Sequence, residues 1–226
     1  MISEVRFENG KVNFMISEGK NEFGEIELSV FGEHNVLNAA AAVIIGLEAG
    51  LTFSQVKEGL LAFTGSKRRS EYVGQLASGA SVFDDYAHHP TEIQNTLKAF
   101  RQQFPKSKII CIFQPHTYSR TKSLFEQFVN SFNDADTVIL TNIYSSLREK
   151  PDPTVSSELL AKKLGDFKKE VFFLPTLDSV IEYVNQKNYG KDCIVLTMGA
   201  GDVYKINEKF RPKADQPLAE KMRDGK

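Results

Sequence analysis

The run Lys108-Ile109-Ile110-Cys111-Ile112-Phe113-Gln114-Pro115-His116 decides the architecture. From Ile109 to Phe113 it is apolar without a break. A strand with one wet face alternates apolar and polar residues. A continuous run marks a strand covered on both faces, as in a parallel sheet. Comparable stretches predict strands at 81–85, 136–141, 171–174 and 192–198. Helical spacing falls between them, at about 91–104, 120–133, 156–165, 176–188 and 201–209. Repeated strand–helix alternation predicts an α/β fold with a doubly wound, mainly parallel sheet. Ligands of such sheets bind beyond the carboxyl ends of the strands, and Gln114-Pro115-His116 lies at such an end.

Upstream the pattern changes. Residues 4–8, 11–16 and 25–30 alternate apolar and polar side chains, with Asn9-Gly10 between the first two, a strong hairpin signal. The stretch from Asn35 to Gly50 predicts a helix apolar nearly all round, and therefore buried. A second helix is expected from Ser54, read as its N-cap, to about Phe63. Gly65-Ser66-Lys67-Arg68-Arg69-Ser70 reads as a linker, so the expected division is 1–67, 68–210 and a polar, loosely attached tail 211–226 with Pro212 and Pro217. The first part offers little to cover its apolar helix. The expectation is a fragment, or a chain completed by a partner.

The 226 residues are 41% hydrophobic and 25% charged, ordinary for a soluble globular protein. A formal net charge of -1 gives no bulk electrostatic case for nucleic acid. No window approaches the roughly 18 apolar residues of a membrane helix. Met1-Ile2-Ser3-Glu4 opens no basic-then-apolar pattern, so no signal peptide is read there. Cys111 and Cys193 sit in apolar runs and read as core residues rather than a disulfide or metal pair. The expected setting is cytoplasmic.

Chemistry concentrates in a few segments. Asp84-Asp85-Tyr86-Ala87-His88-His89-Pro90 places five ionisable groups between a predicted strand and a predicted helix. Helix capping needs one polar side chain there, with Pro90 at the first helical position; five point to a site. His116 and Arg120 follow the next strand at the same end of the sheet, so they are expected beside His88. An Arg there can hold a carboxylate, although a capped helix start, with Ser119 as the cap, would also account for the segment. Arg68 and Arg69 could bind phosphate, or form a solvated charge run. His34, Asn35 and Asn38 open the apolar helix, and an Asn amide suits an adenine edge. The plainer reading, Asn35 as N-cap and Asn38 satisfied in the core, is the stronger from that segment alone. Gly199 and Gly201 could let backbone approach a ligand.

In this order, Gly32-Glu33-His34-Asn35-Val36-Leu37-Asn38-Ala39-Ala40, Arg68-Arg69, Asp84-Asp85-Tyr86-Ala87-His88-His89-Pro90-Thr91-Glu92, Phe113-Gln114-Pro115-His116 with Tyr118-Ser119-Arg120-Thr121, and Gly199-Ala200-Gly201-Asp202 resemble the Mur ligases. The likeness covers nearly the whole chain to about residue 210, and is nearest to the members that attach L-alanine to UDP-N-acetylmuramate. It implies the end of a central ATPase domain followed by a Rossmann-like carboxy-terminal domain. It also implies an ATP-dependent amide ligase of peptidoglycan precursor synthesis, with Mg²⁺. There ATP phosphorylates the muramoyl carboxylate, and the amine of L-alanine attacks the acyl phosphate. By the same likeness His34, Asn35, Asn38, Arg69 and Asp85 would bind ATP, Asn38 at adenine, Arg69 at the phosphates and Asp85 at the ribose. Tyr86, His88 and His116 would surround the alanine side chain, and Arg120 would hold its carboxylate.

Departures limit the expectation. No Gly-Lys-Ser/Thr occurs, since Gly19-Lys20 is followed by Asn21. Without that phosphate cradle, the central-domain metal ligands and the UDP-binding domain, the chain alone is expected to be inactive. The missing amino-terminal and central domains would act in cis or as a separate chain. Thr117 stands where the family usually has Arg, and Ser70 where it has Phe; the latter is expected to touch linker packing only. Two other readings compete: a non-catalytic nucleotide- or amino-acid-binding module, and a nicotinamide oxidoreductase. The absent dinucleotide fingerprint argues against the second.

Overall fold

A computed structural model describes residues 1–8, 11–146, 149–168 and 170–210. The described residues divide into two compact units, 1–66 and 67–210. Asn9 and Gly10, and the tail 211–226, lie outside the described residues.

The first unit is an antiparallel sheet of β1 (Ile2–Glu8), β2 (Lys11–Glu18) and β3 (Asn21–Leu28), in that order, with helices α1 (Glu33–Glu48) and α2 (Phe53–Ala62). Strand β2 alternates half-buried and buried residues, with Val12, Phe14 and Ile16 facing inward, as one covered face requires. Helix α1 departs from expectation. It buries only the stripe Val36, Ala39 and Val43, while Leu37, Ile44 and Ile45 are each more than 60% exposed. Composition reported its apolar character; which faces are covered depends on what packs there. Two cap assignments are corrected as well. The residue before α1 is Gly32, and Asn35 sits inside the first turn, donating to Phe31 O at 2.9 Å. Helix α2 is capped by Thr52, in a reciprocal capping box with Gln55, rather than by Ser54.

The second unit is a six-stranded sheet with helices, its strands ordered β4-β5-β9-β6-β7-β8. Strands β5 (Ser81–Asp85), β6 (Lys108–Phe113), β7 (Thr137–Leu140), β8 (Val171–Phe173) and β9 (Cys193–Met198) are parallel. The fold is therefore the α/β, mainly parallel sheet that the apolar runs predict. Both faces are covered. Ile110, Ile112, Ile139 and Val195 share one core cluster with Val180 and Val184 of α7 (Leu177–Lys187). On alternate positions, Phe83 meets Phe100 of α3 (Pro90–Gln103) edge-on at 4.9 Å, and Phe113 packs on Phe128 and Phe132.

Two features were not legible. Strand β4 (Glu71–Gln75) pairs antiparallel with β5 at the sheet edge. It is short, contains Gly74, and slips register between Tyr72 and Gly74, so its period-two signal is broken. The helix expected at 120–133 is two short ones, α4 (Tyr118–Ser123) and α5 (Phe125–Val129). Leu124 between them has ψ 17, outside the α region. The remaining helices are α6 (Ser157–Gly165) and the one-turn α8 (Ile206–Lys209), which follows a 3₁₀ turn, Val203–Lys205. No helix among the described residues is long and apolar enough to cross a membrane.

Candidate functional site

Register places the site. Asp85 at the end of β5 and Phe113 at the end of β6 both align with Met198 at the end of β9. The turns that leave β5 and β6 therefore flank the turn that leaves β9. The latter begins with Gly199, at φ 144. A Cβ on Gly199 would stand 2.6 Å from Gln114 O, and one on Gly201 would stand 2.7 Å from Tyr144 Cγ. Gln114 fills the space beside Gly199, and Gln114 and Tyr144 fill that beside Gly201, so packing alone calls for both glycines. Gln114, 5% exposed, fastens that turn: its amide donates to Asp202 Oδ1 at 2.9 Å and accepts from Asp202 N and Val203 N.

The two carboxylates ending β5 point inward. Asp84 accepts from Thr197 Oγ1 at 2.6 Å and from Arg68 Nε at 2.8 Å. Burial pushes its carboxyl above the usual range, against the pull of those bonds. Asp85 is 3% exposed and accepts from Ser70 N, Ser70 Oγ, Ala87 N and Thr96 Oγ1. Burial raises it too. Both acids thus tie the start of the unit to the end of β5. Ser70 contributes more than linker packing, and Arg68, read as one of a charge run, is consumed by the fold. Its guanidinium also donates to Gly199 O at 2.5 Å and lies over the rings of Tyr86 and Tyr204.

Beyond the acids the side chains turn outward. His89 caps α3, its Nδ1 accepting from Thr91 N, while Glu92 closes the box on the backbone of His88 and His89. That leaves Tyr86 and His88 free of capping duty. Tyr86 meets His88 edge-on at 5.2 Å between centroids, and His88 meets His116 edge-on at 6.1 Å. His116 Nδ1 lies 3.1 Å from Arg120 Nη1. Arg120 can only donate, so His116 accepts on Nδ1. Burial, Arg120 and His88 all hold His116 below the ordinary imidazole range, in the neutral form this bond needs. Tyr86, His88, His116 and Arg120 are therefore brought together. Beside them opens a cavity of about 650 Å³ lined by His116, Arg120, Thr117, Ser119, Ser146 and Glu149.

Arg69 lies 6.0 Å from the Tyr86 ring centre, and its charge acts on the carboxylates of Asp85 and Glu92. His34, Asn35 and Asn38 belong to the first unit, on α1. Asn38 Nδ2 donates to Asn35 Oδ1 at 3.3 Å, and the Asn38 side chain is exposed. Sequence reasoning passed over Tyr144 and Glu149. Their one available signal was position, just past the predicted strand 136–141. Ser119 does not cap α4. Thr117 does so by position, at φ 66 and without a side-chain cap bond. No group of three or more metal-ligating side chains occurs among the described residues.

Imidazoles, a phenol and a guanidinium thus gather at the carboxyl ends of a mainly parallel sheet, where ligands of such sheets bind. Residues 68–201 match the family described as Mur ligase, glutamate ligase domain, and the chain belongs to the Mur ligase family. It is similar to a UDP-N-acetylmuramate–L-alanine ligase of Acetivibrio thermocellus, 41% identical over 204 residues, 90% of this chain and 42% of the relative. Its likeness to the one from Desulfitobacterium hafniense is 43% over 187 residues, 83% of this chain and 41% of that protein. The crystal structure of UDP-N-acetylmuramate-alanine ligase MurC from Thermotoga maritima matches with a TM-score of 0.78 and 27% identity, over 92% of this chain and 44% of that one. The chain spans less than half the length of these relatives.

Proposed function

We propose that this chain is the carboxy-terminal part of an ATP-dependent amide ligase that joins L-alanine to UDP-N-acetylmuramate in peptidoglycan precursor synthesis, in the cytoplasm. Residues 1–67 would end its central domain and 68–210 would form its carboxy-terminal domain. The observation that carries this reading is the pairing of Arg120 with His116, 3.1 Å apart, beside a cavity and facing His88. The names of the relatives support the substrates.

In this reading Arg120 holds the alanine carboxylate through a charge-assisted bond. The faces of His116 and His88 and the ring of Tyr86 border its methyl group. A neutral His116 adds no second cation beside Arg120 and keeps that guanidinium aimed. The domain's part is positioning: it holds the amine where an activated carboxyl can meet it. ATP, when bound, supplies the phosphoryl group that activates that carboxyl. Arg69 would reach its phosphates, and Asn38 would offer an exposed amide to an adenine edge. His34 and Asn35 stay candidates beside Asn38. A ribose contact by Asp85 would need its present internal bonds to be exchanged. In this reading Mg²⁺ accompanies the ATP.

The test is Arg120→Ala in the active ligase carrying this sequence. Loss of a desolvated Arg–carboxylate contact costs about 2–5 kcal/mol. Steady-state kinetics should show kcat/KM for L-alanine reduced by roughly thirtyfold or more, with the KM for ATP little changed. Unchanged use of L-alanine would remove Arg120 from the site.

A further inference from the structure

The turn that carries His116 and Arg120 makes bonds of its own, among them Thr121 Oγ1 to Thr117 O at 2.7 Å, but it is also held from outside. Thr117 sits between them at φ 66, a left-handed conformation that is unfavourable for a β-branched residue. It begins a six-residue helix with no side-chain cap of its own. The outside bonds come from the segment after β7.

Two residues supply them. Tyr144 runs parallel to His116 as an isolated bridge. Thr117 N donates to Tyr144 O, and Tyr144 N donates to Pro115 O, both at 2.9 Å. The Tyr144 ring stacks on His116, with centroids 5.7 Å apart and planes 17° from parallel. Gly201 also packs against Tyr144, where a Cβ would stand 2.8 Å from Tyr144 Cβ. Five residues on, Glu149 reaches the first turn of α4. It accepts from Ser119 N at 3.2 Å and from Ser119 Oγ, and the Ser119 bonds hold its carboxyl below the usual range. One residue thus braces the imidazole, and the other braces the helix start that aims Arg120.

We propose that Tyr144 and Glu149 are positioning residues of the amino-acid site, a clamp from the segment after β7 that sets His116 and Arg120 in register. The proposal rests on the function proposed above for the meaning of that site. Neither residue needs to touch the substrate. Sub-ångström placement matters because a misplacement of about 1 Å can cost on the order of a hundredfold in rate.

Two measurements test the clamp. The first uses the 226-residue chain. At about pH 8, above the ordinary imidazole range, the ring protons of His116 should show an upfield ring-current shift in NMR spectra. Tyr144→Phe should keep it and Tyr144→Leu should lose it. An identical His116 resonance in Tyr144→Leu overturns the proposal. The second measurement uses the active ligase. Tyr144→Leu and Glu149→Ala should each raise the KM for L-alanine by roughly tenfold or more, with the KM for ATP within about twofold of wild type and Tyr144→Phe restoring normal use. An unchanged KM for L-alanine, or equal rises for both substrates, overturns the clamp. A wild-type ligase that makes no amide with L-alanine sinks the functional reading instead, and the NMR measurement still decides the clamp.

Discussion

Asp84 is 2% exposed, and removing its carboxylate from water is unfavourable. Arg68, itself only 21% exposed at the side chain, offsets that cost at 2.8 Å. Arg68→Ala should therefore destabilise the chain by about 2–3 kcal/mol at neutral pH, less than a fully buried pair because water reaches the guanidinium. The sign with pH follows from the raised carboxyl. Below its folded pKa, Asp84 is neutral and needs no cation, so the deficit should shrink as pH falls through that value. Denaturant titrations at two pH values read this directly, and wild-type stability at neutral pH would refute it. The residue types of the site were legible, because two carboxylates, a phenol and two imidazoles exceed what one turn needs. Which of them face solvent was not. Asp84 and Asp85 differ from Tyr86 and His88 by where Arg68, Ser70, Ala87 and Thr197 place their donors, and all of these but Ala87 come from other segments of the chain.

The parallel strands could be read because burial on both faces leaves an unbroken apolar run. The edge strand β4 could not, since an edge needs no such run. The turn after β9 shows the same division between local and tertiary causes. In the sequence Gly199 and Gly201 read as places where backbone could approach a ligand, and in the structure the second glycine is needed because Gln114 and Tyr144 occupy the space beside it. Gly201→Ala would force those side chains apart, and overpacking of this kind costs about 1–3 kcal/mol. The urea midpoint should fall accordingly, and the His116 resonance should move with Tyr144. A midpoint equal to wild type would mean that both neighbours yield freely.

For the whole molecule, the prediction concerns what this chain does by itself. It contains no Gly-Lys-Ser/Thr cradle, so it should release no phosphate from ATP in the presence of UDP-N-acetylmuramate and L-alanine. Without that cradle most phosphate contacts are lacking, and nucleotide binding should be no tighter than roughly millimolar, about -4 kcal/mol. A coupled phosphate-release assay beside calorimetric titration with ATP and Mg²⁺ would check both, and steady release above the blank would overturn the expectation. Pattern and motif alone determined the α/β class, the change of architecture near residue 67, the family, and the neighbourhood of His88, His116 and Arg120. These follow from local periodicity and from the rule that parallel strands end on one side. Only the tertiary structure decided which face of α1 is covered, that Arg68 and both aspartates serve the fold, and that Tyr144 and Glu149 brace the site. Those facts depend on contacts between residues far apart in the chain, such as Arg68 with Gly199 and Ser119 with Glu149, and no local pattern records them.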